Sequence, residues 1–251
     1  MIAGLVSIIT PVFNSAKTIA ETIASVQMQT YTKWEILIVM DAGTRDNTAE
    51  IVNLAVSKDP RIRFFEIKDC RGVSLSRNLA LREAQGQFVA FLDSDDLWLA
   101  EKLEKQVAAM TSNSATFSCG GYRKINEDGS RIGKLRLPPP LQSYKSLLRN
   151  NLVACPTAMF DQKALGRFQL AEHAHEDYIL WLDIIKKSGS CLGIQADMAR
   201  YRIVENSRSM SVNRSGSRWK VYRNFEGLGV WDSTVNFFIY GFTALGKRFQ
   251  F

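Results

Sequence analysis

The sequence predicts an α/β fold in which a mostly parallel central sheet is flanked by helices. Two observations lead there. From Leu5 to Met110, short runs of Ile, Val and Phe alternate with segments whose apolar residues recur at helical spacing, the pattern of a parallel sheet covered on both faces. Each of three apolar runs also ends in a polar turn, PVFN, DAGTRDNT or DSDD. Ligands of such sheets bind beyond the carboxyl ends of the strands.

Taken in order, LVSIIT (Leu5–Thr10) is a short buried strand ended by Pro11. Ile19, Ile23 and Val26 then share one face of a helix, with Ser15 as its expected cap. WEILIVM (Trp34–Met40) is a second strand, and AEIVNLAVSK the helix after it. IRFFEI (Ile62–Ile67) is the third strand, GVSLSRNLALREA a helix stopped near Gly86, and FVAFL (Phe88–Leu92) a fourth strand. A helix over about Ala100–Met110 follows. Beyond Thr111, ATFSCGGYRKINEDGSRIGKLRL reads as a strand pair turning at Glu127-Asp128-Gly129, and Pro138–Pro140 as a loop. HEDYILWLDIIKK has its acids first and its lysines last, as a helix dipole favours. Two helices close the chain. In the second, Trp231, Val235, Phe238, Phe242, Leu245 and Phe249 form an amphipathic stripe.

At 251 residues the chain can bury a full core, and 46% hydrophobic with 23% charged residues is the balance of a globular protein. No run reaches the roughly 18 to 20 apolar residues of a membrane span, and the apolar N-terminus lacks a basic region and is broken by Pro11. Cys70, Cys119, Cys155 and Cys191 are scattered without a C-x-x-C pair. That argues for reduced thiols in the cytoplasm rather than a zinc site. No G-x-G-x-x-G follows the first strand, which argues against a dinucleotide dehydrogenase. The net charge of +7 is uneven: from Arg200 onward nine Lys/Arg face three acids, so +6 of it lies in that segment. Such a segment suits an acidic surface; no nucleic-acid motif accompanies it.

The acidic cluster in FVAFLDSDDLW carries the chemistry. Asp93, Asp95 and Asp96 repel one another unless something positive lies between them. An EF-hand is excluded, because Trp98 stands where its glycine belongs and no glutamate closes the loop. A phosphoryl-accepting aspartate lacks its partner set. Two readings remain: a loop in which Asp95 or Asp96 caps a helix beginning near Leu97, or a divalent cation, Mn²⁺ or Mg²⁺, held with a diphosphate.

The motifs VSIITPVFN, WEILIVMDAGTRDNT, GVSLSRNLALREAQGQFVAFLDSDD and HEDYILWL, in this order and spacing, resemble the family 2 glycosyltransferases over roughly residues 4 to 200. The resemblance implies the GT-A fold, a Rossmann-like α/β sheet, and inverting sugar transfer from a nucleotide diphosphate donor, with a UDP-sugar expected. Three regions are expected: by resemblance, a nucleotide-sugar-binding half (1–112) and an acceptor-binding half of the same domain (113–205), and, from charge and spacing, a basic amphipathic helical tail (206–251). By resemblance Pro11, Phe13, Asn14, Asp41, Arg77, Asp93 and Ser94 bind the donor nucleotide. Asp93 and Asp95 hold the metal, and Asp177 is the catalytic base. Asp96, Glu176 and Trp98 are expected to contact the acceptor or the donor sugar. His173 and His175 read as loop histidines rather than ligands. The sequence departs from the family at Ala42, where many members carry a second acid, and at Val204, where many carry a histidine. Arg202, Arg208 or Arg214 is expected to close over the diphosphate instead.

Arginines and lysines beside an aromatic, amphipathic helix suit an anionic membrane interface. The resemblance adds what would meet it there: a lipid-linked or cell-surface polysaccharide acceptor, with a glycan on a polyprenyl diphosphate at the inner face of a bacterial plasma membrane as the form that related enzymes extend. The other expectations for the stripe are packing onto the domain or a homodimer contact. A rival reading of the whole chain is a non-catalytic nucleotide-sugar-binding relative.

Overall fold

Strands buried on both faces require apolar residues at every position, and Val6, Ile8 and Ile9 of β1 and Ile36 through Val39 of β2 are fully buried. The computed structural model describes residues 1–69, 72–204 and 214–247, without the side chains of 214–215 and 243–247. The first half contains β1 (Ile2–Val12), α1 (Ile19–Gln27), β2 (Trp34–Met40), α2 (Thr48–Lys58), β3 (Ile62–Glu66), α3 (Val73–Glu83), β4 (Gly86–Phe91), β5 (Leu97–Trp98) and α4 (Lys102–Ser112). The second contains β6 (Phe117–Ile125), β7 (Leu141–Gln142), α5 (Tyr144–Arg149), a 3₁₀ turn (Cys155–Thr157), β8 (Met159–Asp161), α6 (Gln162–Leu165), α7 (Glu176–Ser188) and β9 (Cys191–Arg202). The extension contains α8 (Arg214–Lys220), a π-helical turn (Val221–Phe225) and α9 (Val230–Lys247).

One sheet runs through the molecule in the order β3-β2-β1-β4-β8-β6-β9-β5, with β7 also on β9. The pairs β3-β2, β2-β1, β1-β4 and β6-β9 are parallel, and β8 joins β4 to β6 antiparallel to both. One apolar layer packs Ile9, Val39 and Phe91 under α3 and α7, with Trp181 edge-on to Phe91 at 5.1 Å. The opposite layer packs Val6, Ile8, Ile36 and Ile38 under α1, α2 and α4.

Three local expectations are corrected. Pro11 does not end β1, which continues to Val12. Val6 and Val12 bond to the β2 side and Ile9 to the β4 side. Pro11, with the parity of Ile9, therefore points its missing N–H toward the place where β4 has already ended, so no ladder bond is lost there. Ser15 does not cap α1, whose N-cap is Thr18; its hydroxyl lies 2.7 Å from that of Ser94. No helix begins at Leu97, so neither Asp95 nor Asp96 is a helix cap. Leu97 and Trp98 instead pair antiparallel with Arg200 and Ala199 of β9, and the helix starts at Lys102. The expected strand pair after Thr111 forms as β6, but its return is limited to bridges at Arg136 and Ile132.

Candidate active site

The acidic loop leaves β4 at Leu92 and turns tightly, with the Asp96 N–H donating to the Asp93 carbonyl at 3.1 Å. The Ser94 carbonyl accepts from the hydroxyls of Thr18 (2.8 Å) and Thr22 (3.0 Å), which fastens the loop to α1. This leaves Asp93 and Asp95 half-buried at the carboxyl end of the sheet and drives Asp96 inward to 1% exposure. Burial, and then the Asp93 charge, push the Asp95 carboxyl up to about 6. Burial, and then the Asp95 charge, push the Asp96 carboxyl well above the usual range too.

Arg77, in the middle of α3, is buried among these acids. Its guanidinium donates to Asp93 Oδ1 at 2.5 Å and to Glu176 Oε1 at 3.1 Å, and it lies 3.6 Å from Cys155 Sγ. Burial opposes its charge, yet the carboxylates hold it firmly protonated. One cation thus ties the acidic loop of the first half to the start of α7 in the second. Asp177 follows Glu176 in the first turn of α7. Burial raises its carboxyl above the usual range, Arg77 works against that rise, and the Tyr178 N–H donates to Asp177 Oδ1 at 2.6 Å.

The candidate donor-nucleotide residues line the neighbouring strand ends. Phe13 is 54% exposed at the end of β1, so it is not a core residue. Asn14 adopts a left-handed backbone (φ 47°), and its Oδ1 accepts from the Arg45 N–H at 2.9 Å. Asp41 is buried. Its Oδ2 accepts from the Gly72 N–H at 2.6 Å, while its Oδ1 has no partner among the described residues. A buried oxygen of this kind suits a base N–H.

Three candidates face elsewhere. Trp98 is buried, donates its indole N–H to the Pro156 carbonyl at 2.7 Å and lies under Lys102, so it packs beneath the cleft and is not placed to touch sugar or acceptor. The Arg202 side chain is 3% exposed, and its guanidinium is taken up by the carbonyls of Asp95 and Glu127 and by Glu21. It braces the acidic loop from below and is not poised over a diphosphate. Its own N–H donates to Asp96 Oδ1 at 2.8 Å, which gives Asp96 the same structural position. Arg208 and the side chain of Arg214 lie outside the described residues.

Sequence reasoning missed Tyr201 and Arg218. Tyr201 stands beside the acidic cluster, its hydroxyl held protonated by burial and by Asp96, Asp93 and Asp177. Its place in YRIV was the available clue. Arg218 reaches back from α8 to stack 3.5 Å over the Tyr178 ring, next to Asp177, and no local pattern announces a contact at that sequence separation.

Among the described residues no three His, Cys, Asp or Glu side chains cluster for a metal. Asp93 and Asp95 nonetheless fit a hard cation, which commonly takes one or two carboxylates and completes its shell with substrate phosphates and water. The raised Asp95 carboxyl marks a place where positive charge is wanted.

The domain that this sheet and cleft define is a glycosyltransferase of the GT-A fold. The family model for glycosyl transferase family 2 matches residues 7–168, and the chain belongs to that family. It is 37% identical over 246 residues to a glycosyltransferase assigned to teichuronic acid biosynthesis in Bacillus subtilis, covering 97% of each chain. It is 36% identical over 223 residues to the Escherichia coli UDP-Glc:alpha-D-GlcNAc-diphosphoundecaprenol beta-1,3-glucosyltransferase, covering 88% of this chain and 86% of that one. S. aureus TarS (residues 1–349) in complex with UDP-GlcNAc superposes with a TM-score of 0.71 at 19% identity, over 94% of this chain and 71% of that one. A Pyrobaculum calidifontis mannosyltransferase in complex with GDP-Man and Mn²⁺ gives 0.67 at 17% identity, over 89% and 64%.

Proposed function

We propose that the chain moves a sugar, with inversion, from a UDP-sugar to a hydroxyl of a lipid-linked glycan in bacterial surface-polysaccharide synthesis. The observation that carries this is the Arg77 bridge, which sets a carboxylate of the acidic loop and the start of α7 on either side of one cation. The reaction asks for that division. Asp177 takes the proton of the acceptor hydroxyl as its oxygen bonds to the anomeric carbon. The bond from that carbon to the diphosphate breaks on the opposite face, and its electron pair leaves on the diphosphate oxygen. Asp93 and Asp95 would hold Mn²⁺ or Mg²⁺, which when bound offsets the charge of the leaving diphosphate. Phe13, with Asn14 and Pro11 beside it, would flank the base, and Asp41 Oδ1 would accept from it.

The experiment is a screen of nucleotide sugars for hydrolysis or transfer with Mn²⁺. A UDP-sugar should be turned over, and EDTA should abolish the reaction. Because the Asp95 carboxyl sits at about 6, it is mostly ionised at pH 7 and protonated below 6. The donor KM should therefore rise roughly tenfold per pH unit as pH falls below about 6. Absence of turnover with every donor would leave the rival reading, a binding relative without catalysis, for which Ala42 and Val204 speak.

The extension supports a membrane-linked acceptor. Ser233 and Asn236 of α9 are buried, and Phe237 packs against the core cluster and meets Trp219 of α8 at 5.9 Å. Trp231 (78%), Phe238 (63%) and Phe242 (75%) are exposed, so these three do not pack onto the domain. Leu245 and Phe249 fall where no side chain is described. The positive charge is less superficial than the sequence suggested. Arg200 pairs with Asp197, and Arg202 and Arg218 are buried, while Lys220 and Arg223 are exposed. No described helix is long and apolar enough to cross a membrane. An exposed aromatic face beside surface cations suits the interface of anionic lipid at the inner face of the plasma membrane. The chain should pellet with anionic vesicles at low salt, and Trp231→Ser with Phe238→Ser should release it. A wild-type protein that stays in the supernatant would contradict membrane binding, and a dimer by light scattering would assign the face to a second copy.

A further inference from the structure

Asp177 stands on a helix end with little hold of its own. Its carboxylate accepts from the N–H of the next residue, Tyr178, and the N-cap of α7, His175, makes no side-chain capping hydrogen bond. An uncapped first turn opens readily unless its side chains are held from outside. Both neighbours of Asp177 are held, one from the first half of the chain and one from the extension. Arg77 of α3 takes Glu176 at 3.1 Å. Arg218 of α8 lies over the Tyr178 ring, 3.5 Å from its centroid. The Tyr178 hydroxyl donates to the Leu148 carbonyl at 3.0 Å, and Arg218 donates to the same carbonyl at 3.3 Å. Ring face and ring tip are thus both fixed, and with them the turn that carries Asp177.

Arg218 is 2% exposed, yet among the described residues it pairs with no carboxylate. In place of an acid it has the rings of Tyr178, Tyr240 (4.5 Å) and Tyr222 (5.6 Å), and it donates to the Tyr222 hydroxyl at 3.2 Å. Taking a guanidinium out of water is costly, and cation–π contacts offset only part of that cost. An apolar residue here would orphan no polar group, because the Leu148 carbonyl keeps the hydroxyls of Tyr178 and Tyr222, each at 3.0 Å. Stability alone therefore does not call for an arginine. Its charge acts in the same direction as its stacking: burial raises the Asp177 carboxyl, and Arg77, then Arg218, favour the ionised form. Fastening the extension does not need Arg218 alone either. Glu226, just past the π-helical turn, takes Lys186 in the last turn of α7 at 2.8 Å and also the Tyr144 hydroxyl.

We propose that Arg218 is a positioning residue for the base: it holds the Tyr178 ring and so keeps Asp177 aimed at the acceptor hydroxyl. The extension is then part of the transfer site and not only a docking surface. This rests on the reading of the chain as a transferase with Asp177 as its base.

Two measurements on the whole chain test it, kinetics and amide hydrogen exchange. Arg218→Leu should lower kcat by roughly ten- to a hundredfold, the order expected when a reacting group shifts by about an ångström. The donor KM and the dissociation constant of UDP–Mn²⁺ should stay within about a factor of two, and the melting temperature within about 4 °C of wild type. Exchange across the first turn of α7 should quicken about tenfold. Arg218→Gln, neutral but able to donate to the Leu148 carbonyl, should behave alike and replaces the leucine variant if that one does not fold. Glu226→Gln should melt lower yet keep its kcat and its first-turn exchange. A kcat within about threefold of wild type in the Arg218 variants would overturn the proposal. So would a loss of nucleotide binding or of melting temperature in step with kcat, which would mean a general loss of structure. A Glu226→Gln as slow as Arg218→Leu would also overturn it, since docking of the extension, and not this residue, would then set the rate. Failure of the underlying reading shows separately: wild type would turn over no UDP-sugar, or Asp177→Asn would be as fast as wild type. Exchange in the first turn of α7 would still decide whether Arg218 holds it.

Discussion

Asp177→Asn should lower kcat by about a thousandfold while leaving the donor KM within a factor of two. Removing a general base costs roughly 10² to 10⁴ in rate. The upper part of that range is expected, because Glu176, the adjacent carboxylate, is held by Arg77 at 3.1 Å and is not positioned to substitute. The change should be quiet structurally: the Tyr178 N–H donates to the Asp177 carboxylate within the same helical turn, and asparagine keeps the accepting oxygen. Burial holds the Asp177 carboxyl above the usual range, so the wild-type kcat should also fall in acid as that group takes up its proton. Steady-state kinetics against donor and acceptor separately would check this. A variant retaining more than a tenth of wild-type kcat would mean that another group takes the proton.

Arg77→Met should destabilise the fold by about 3 to 5 kcal/mol, the usual cost of breaking a buried ion pair by removing one partner. The side chains of Arg77, Glu176 and Asp93 are 5%, 10% and 29% exposed. The two acids would then face each other across a space that has lost its cation. For a chain of this size that corresponds to a fall in melting temperature of roughly 10 °C. Arg77→Lys should recover part of the loss, since one ammonium cannot fork to two carboxylates in the planar manner of a guanidinium. A Met variant melting within about 2 °C of wild type would contradict the bridge. Binding of UDP with Mn²⁺ should change as well, because Asp93 would lose the partner that orients it.

The parts of this architecture that were legible in the sequence are those with local causes. The strand Trp34–Met40 is as expected because an unbroken apolar run between polar turns has few alternatives. The helix carrying Asp177 was readable from its charge order and spacing. What stayed hidden depends on contacts between distant segments. A helix start near Leu97, capped by Asp95 or Asp96, was one of two readings left open for the acidic cluster, yet Leu97–Trp98 is a strand because β9, a hundred residues later, pairs with it. Arg202 was a candidate phosphate ligand because Val204 stands where many family members carry a histidine, but Glu21 and two backbone carbonyls claim it first. Trp98 is similar: its indole was sought in the cleft, and the Pro156 carbonyl holds it below. Arg77 was expected at the donor nucleotide, and its pairing with Asp93 and Glu176 follows only once α7 is packed against α3.

The central claim is a division of labour, with carboxylates at the donor on one side of Arg77 and a carboxylate at the acceptor on the other. The most direct measurement is the dissociation constant of UDP with Mn²⁺, beside kcat, in Asp95→Asn and Asp177→Asn. The account predicts that Asp95→Asn weakens UDP–Mn²⁺ at least tenfold, whereas Asp177→Asn binds it as wild type does and turns over about a thousandfold more slowly. Equal loss of nucleotide binding in the two variants, or loss in Asp177→Asn alone, would contradict it.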